Sequence, residues 1–211
     1  MSSSSEEREK KGKGEVMQLD KNKKEIVSYS SLEDLKQAEK EEYIEHSNRS
    51  ANKLKKISLN KSVKIIKTIP QKAKLHYFSK EYGKKRLTHE KKYHPIKPFR
   101  GEIYNAEITE NIGSELCGNH LVLVVSNSST NIFADKINVL PIEGDGNKVP
   151  HYLAKLTNED MKTGHLDKDP SRVIIPDVLT IDKSRLGMKI GRVDDEKIKE
   201  INIKLKKQLS L

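Results

Sequence analysis

Residues 71–97, QKAKLHYFSKEYGKKRLTHEKKYHPIK, interleave His76, Tyr77, Phe78, Tyr82 and Tyr93 with lysines. Aromatic faces stack unpaired bases and ammonium groups neutralise phosphates, so this run has the chemistry of a single-stranded nucleic-acid tract. The same composition also describes a solvated linker whose aromatics dock on a neighbouring domain. No paired aromatic motif of an RNA-binding module decides between the two. The seven histidines form no H-x-H or H-x3-H group, so no metal site is expected. Cys117 stands alone in a polar stretch with no base assigned to it, which argues against thiol catalysis. Gly144 and Gly146 are not followed by G-K-[ST] and a helix, so they mark a turn rather than a phosphate loop. Lys148 and His151 follow that turn and are candidates for lining a nucleic-acid groove, although a solvated strand end explains them equally well. No cofactor is expected.

The elements that must position such groups begin at Gly101. Tyr104, Ala106 and Ile108 alternate with Glu102, Asn105 and Glu107 as in a half-buried strand. Residues 109–119 are polar with two glycines, Gly113 and Gly118, and read as a mobile loop. Leu121–Val125 is an unbroken branched-apolar run, hence a buried strand, which Asn127 ends. INVLPI (137–142) predicts another strand, EGDGNK (143–148) a turn, and VPHYLAKL (149–156) a further strand. Residues 157–171 read as a polar connection with one helical turn. Residues 172–182 read as a strand bent or bulged at Pro176. Asp194 is placed to cap a last helix, with Ile198, Ile201, Leu205 and Leu209 as its buried face. Ahead of all this, Ser30 with Glu33 makes a capping-box pattern for a helix over 31–57, with Leu32, Leu35, Tyr43, Ala51 and Leu54 on its sparse apolar face. SVKIIKTI (62–69) either continues that helix after a break or forms a short strand, and Pro70 is expected to end it.

RGEIY, NIGSE and LVLVVSN, followed by INVLPI and VIIPDVLTIDKSRLGMKIGRVDDEKIKEIN, resemble the MazF/PemK family of toxin ribonucleases over residues 99–211. The resemblance implies a mainly β (α+β) fold: a small SH3-like antiparallel β-barrel with a C-terminal helix. Here a basic, largely helical N-terminal extension precedes it. The implied activity is metal-independent cleavage of single-stranded RNA, in which the ribose 2′-hydroxyl attacks its own phosphate to leave a 2′,3′-cyclic phosphate and a 5′-hydroxyl. Implied partners are RNA, a small antitoxin protein and a second copy of the chain in a homodimer. Arg100 matches the family's basic residue before the first strand and is a candidate phosphate contact. At two places the pattern departs. Where the family has G-x-R-P this chain reads Gly118-Asn119-His120-Leu121, and the family threonine falls on Glu143. In one reading His120 and Glu143 replace the usual pair as catalytic acid and base, since imidazole and carboxylate suit 2′-hydroxyl transesterification. In the other the site is inactive and the protein binds only nucleic acid or its antitoxin.

Charge divides the chain in the same place. Residues 46–98 hold 16 Lys+Arg against two Asp+Glu, whereas residues 99–211 hold 16 against 17. A balanced domain therefore follows a tract suited to a polyanion, with RNA, DNA and anionic membrane all eligible on charge alone. The organisation read from this is a disordered 1–28, a basic helical extension and linker over 29–98 closed by Pro95 and Pro98, and a domain over 99–211. One cysteine forbids an internal disulfide, no apolar run approaches the ~18–20 residues of a spanning helix, and MSSSSEEREKKGKGEV lacks the apolar core of a secretory signal. A cytoplasmic protein with no membrane partner is expected.

Overall fold

The computed structural model describes residues 37–54 and 58–211. The predicted disorder over 1–28, the Ser30 capping box, Leu32 and Leu35 lie outside those residues. The chain falls into two units that divide at Ile66/Lys67, inside a helix. In the first unit, helix α1 spans Gln37–Leu54 with Tyr43 and Ala51 exposed, so that part of the expected apolar face is uncovered within it.

Helix α2 runs Leu59–Thr88 and passes through Pro70. This corrects the expected break. Proline there removes one N–H and crowds the carbonyl four residues back, but 30 helical residues with well-placed Lys85 and Arg86 in the last turn carry the element across it. What read as a linker is therefore largely helix.

From residue 99 the chain builds one antiparallel sheet: β1 (Glu102–Glu107), β2 (Asn119–Val124), β3 (Lys136–Glu143), β4 (Ala154–Leu156), β5 (Met161–Gly164), β6 (Ser171–Val173), β7 (Leu179–Asp182) and β8 (Leu186–Val193). The order is β4-β6-β3-β2-β1-β8-β5, with β7 paired to the first half of β3, and the sheet curls into a half-barrel. The short helix α3 (Ser128–Asn131) joins β2 to β3, and α4 (Asp195–Gln208) closes the chain. The central strands are buried on both faces. Leu123, Leu140 and Ile142 face a core shared with Ile201 of α4, while Val122, Val124 and Val139 face a second core with Ala106 and Ile181. That double burial is why Leu121–Val125 shows no alternation.

Several expectations are revised. The strand expected over 149–156 is only three residues long, because Pro150 and the turn through Leu153 occupy its first half. The polar connection 157–171 holds a one-turn 3-10 helix at Asn158–Asp160, as expected, and also β5, which the sequence hides because most of its residues are exposed. Residues 172–182 are two strands rather than one bent strand: Asp177 N–H donates to Ile174 O at 3.3 Å in a turn around Pro176. Asp194 caps α4 through a 2.7 Å bond from the Lys197 N–H, and Ile201 is fully buried with Ile198 and Leu205 beside it. Leu209, expected on that face, is the C-cap and is half-exposed.

Candidate active site

His120 and Glu143 lie at the open end of the β2–β3 ladder. Leu121 and Ile142 are the last opposed pair of that ladder, and His120 and Glu143 are the residues just past it on the two strands. On the other side of β2, His120 is opposite Ala106. Beyond Glu143 the row continues to Arg172 on β6 and then to Lys155 on β4. Glu143, Arg172 and Lys155 are thus directly opposed across three strands at roughly 5 Å per strand, and His120 stands one residue past the last β2–β3 pair.

The loop between β1 and β2 sets the imidazole. Ile108 N–H donates to Gly118 O at 2.8 Å and Gly118 N–H returns to Thr109 O at 2.9 Å, closing the loop at its base. Gly118 does this at φ +83, a left-handed conformation that favours glycine. Asn111 Nδ2 holds Leu116 O at 2.8 Å, and Arg185 braces the loop base through Nη1 to the carbonyls of Glu107 and Ile108 at 2.9 and 3.0 Å. The loop that read as mobile is thus pinned along its length. Its carbonyl at Cys117 lies 2.8 Å from His120 Nε2. A carbonyl only accepts, so Nε2 carries a proton and Nδ1 is the nitrogen left to exchange one. The Cys117 thiol serves the loop instead, accepting from Asn111 N at 3.2 Å.

Glu143 is held by Arg172, whose Nε and Nη2 donate to Oε2 at 3.1 and 2.8 Å. Both bonds land on one oxygen, leaving Oε1 outside the fork. The hydrogen bond that Arg172 donates to Glu143 raises the Arg172 pKa, with the charges of Glu143 and Asp145 adding, so the guanidinium is positive at every physiological pH. Arg172 is the site residue that the sequence reading missed. It is 29 positions from Glu143 and belongs with it only through the β3–β6 register. Lys155 has the same history.

The remaining candidates disperse. Arg100 sits beyond the far end of β1 from the Ala106–His120 pair, and its guanidinium donates to Asn202 of α4 while its N–H bonds Ser128 Oγ at 2.8 Å. Burial lowers its pKa. It ties the start of β1 to the terminal helix. Lys148 and His151 are exposed on the β3–β4 connection; the His151 ring packs edge-on to Tyr152 at 5.5 Å and its carbonyl accepts from Lys204 at 2.8 Å. Neither joins the row of Glu143, Arg172 and Lys155. Among the described residues no group of three or more His, Cys, Asp or Glu could hold a metal ion, and no helix is long and apolar enough to cross a membrane.

Comparison with known proteins agrees with the resemblance noted above. Residues 99–209 match the family described as PemK-like, MazF-like toxin of type II toxin-antitoxin system. A protein named Endoribonuclease MazF from Staphylococcus saprophyticus subsp. saprophyticus is 32% identical over 105 residues, covering 49% of this chain and 83% of that protein. Among solved structures, MazF from Deinococcus radiodurans is 19% identical with a TM-score of 0.45, covering 55% of this chain and 99% of that one. An endoribonuclease in complex with its cognate antitoxin from a mycobacterial species is 22% identical with a TM-score of 0.42, covering 55% and 95%.

Proposed function

The chain belongs to the family of PemK-like and MazF-like toxins of type II toxin–antitoxin systems, and on that premise we propose that it is an endoribonuclease that cleaves single-stranded RNA through His120, Glu143 and Arg172. The observation that supports this reading is the strand register, which opposes Glu143 to Arg172 and ends the β2–β3 ladder one residue short of His120 and Glu143.

In the proposed reaction Glu143 takes the proton of a ribose 2′-hydroxyl. The O2′–P bond forms, the P–O5′ bond breaks, and protonated His120 gives its Nδ1 proton to the departing 5′-oxygen. The products are a 2′,3′-cyclic phosphate and a 5′-hydroxyl, and the acid and base reset by exchanging protons with water. The Arg172 guanidinium stands next to the base, where it can hold a phosphate oxygen and offset the charge that builds on the phosphorane. Arg172 thereby supplies, from another strand, the positive charge that His120 does not carry when neutral. No step needs a metal.

The proposed partners follow from the family. A small antitoxin with an acidic tail would compete with RNA for this basic row, and two copies of the chain would form the working unit. The test is to incubate the purified protein with single-stranded RNA in EDTA and determine the ends. Cleavage leaving 2′,3′-cyclic phosphate and 5′-hydroxyl is expected. A 5′-phosphate product, loss of cleavage in EDTA, or an inert protein that becomes active only as His120→Arg would overturn the reading.

A further inference from the structure

A second cationic feature lies outside the row described above. Where the later part of α2 meets the one-turn 3-10 helix Lys183–Arg185, a cleft of about 250 Å³ is lined by Lys72, Leu75, His76, Ser79, Asp182, Ser184 and Arg185. Every one of these residues belongs to the unit that contains the sheet. We propose that this cleft is a subsite for a backbone phosphate of the RNA strand, a short distance along the chain from the bond that is cut. The proposal rests on the reaction assigned above and adds a substrate contact to it.

Three observations carry it. The first is the state of the charged groups. Arg185 uses Nη1 to brace the carbonyls of Glu107 and Ile108, which leaves the other edge of its guanidinium for a ligand. Lys72 donates to Glu110 O at 3.4 Å, and His76 is exposed. The lone acid, Asp182, already accepts from Ser79 Oγ and the Ser184 N–H at 2.8 Å each, and these bonds outweigh the effect of burial and hold its pKa down. The second is position. Leu186, next to Arg185, is opposite Ala106, and Ala106 is opposite His120. Arg185 therefore stands one residue from the sheet level of His120, two strand spacings away, or about 10 Å. A single strand crossing the His120–Arg172 row spans that distance within a few nucleotides. The third is shape: Leu75 gives the cleft an apolar wall beside its cations, suited to a sugar or base edge attached to the phosphate.

The probe is a fluorescein-labelled single-stranded RNA of mixed sequence, titrated against the full chain in increasing salt. In a His120→Ala background, which removes turnover, Lys72→Gln/His76→Gln is expected to weaken RNA binding about tenfold and to make the salt slope shallower by about 0.7 for the lost phosphate contact. In the active protein the same pair is expected to raise KM and leave kcat near its starting value. Lys72→Arg should retain affinity, and Lys84→Gln, on the same helix outside the cleft, should leave binding unmoved. Circular dichroism melts check that the exposed substitutions keep the fold. Unchanged affinity, slope and KM in the double variant overturn the subsite while leaving the reaction intact. An equal loss in Lys84→Gln overturns it in favour of diffuse charge, and loss of binding to a poly-glutamate peptide with RNA affinity unmoved overturns it in favour of an acidic protein ligand. If the natural chain fails to cleave while the double variant still loses RNA affinity, the reaction fails and the subsite stands.

Discussion

Arg172 and Glu143 form a pair at the surface, with side chains 25% and 38% exposed. Such exposed pairs add little to stability, so a structural role alone would make Arg172 nearly dispensable. If it holds phosphate, Arg172→Ala should cut kcat/KM by roughly 100-fold or more while the melting temperature moves by only a few degrees. Arg172→Lys, which keeps the charge but not the planar fork, should recover part of that loss. A melting shift with unchanged cleavage would make the pair a strand tie and nothing more. At this scale the sequence is half-legible. His120 and Glu143 stand out because they interrupt a family pattern at two fixed positions. Arg172 and Lys155 interrupt nothing, and only the register of two short strands brings them into line.

At the scale of elements, the TIDKSR segment is a buried join. Lys183 is fully buried and its ammonium donates to Ile96 O at 3.1 Å and to Asn131 O; burial lowers its pKa to about 8. His94, 2% exposed, accepts from the Ile96 N–H at 3.0 Å and packs edge-on to Tyr82 of α2 at 5.6 Å. The residues just before the sheet are thus built into the domain, although Pro95 and Pro98 read as a linker. The place of a proline in the sequence says nothing of what a buried lysine fastens. Lys183→Met should cost about 1–3 kcal/mol, because two buried carbonyls lose their donor; denaturant titration at neutral pH would show it, and an unchanged midpoint would refute the join. His94 gives the pH dependence. Burial, then the Lys183 charge, lower its pKa below 6.5. Below that value the unfolded chain binds a proton that the folded ring refuses, so stability should fall as pH drops through 6.5 and continue down to the folded pKa. His94→Gln should flatten that slope, and parallel pH curves for the two proteins would contradict it.

Across the whole molecule, the balanced sheet domain follows a tract of net +14 over residues 46–98. If the tract contributes phosphate contacts, RNA affinity of the full chain should fall steeply with salt, and a chain beginning at Lys67 should show a shallower slope. Equal slopes would confine RNA contacts to residues 67–211. Composition made this asymmetry plain, and strand runs ending in Asp194 and its helix made the sheet domain legible. The continuity of α2 through Pro70 was not legible, because a proline's cost is local while thirty residues of helix share it. The most direct test of the assigned reaction is single-turnover cleavage of RNA in EDTA by the natural chain, His120→Ala and Glu143→Gln, with RNA binding measured alongside. Each substitution should slow cleavage by about 10²–10⁴-fold with binding retained. Cleavage at the natural rate by either variant would contradict the assignment.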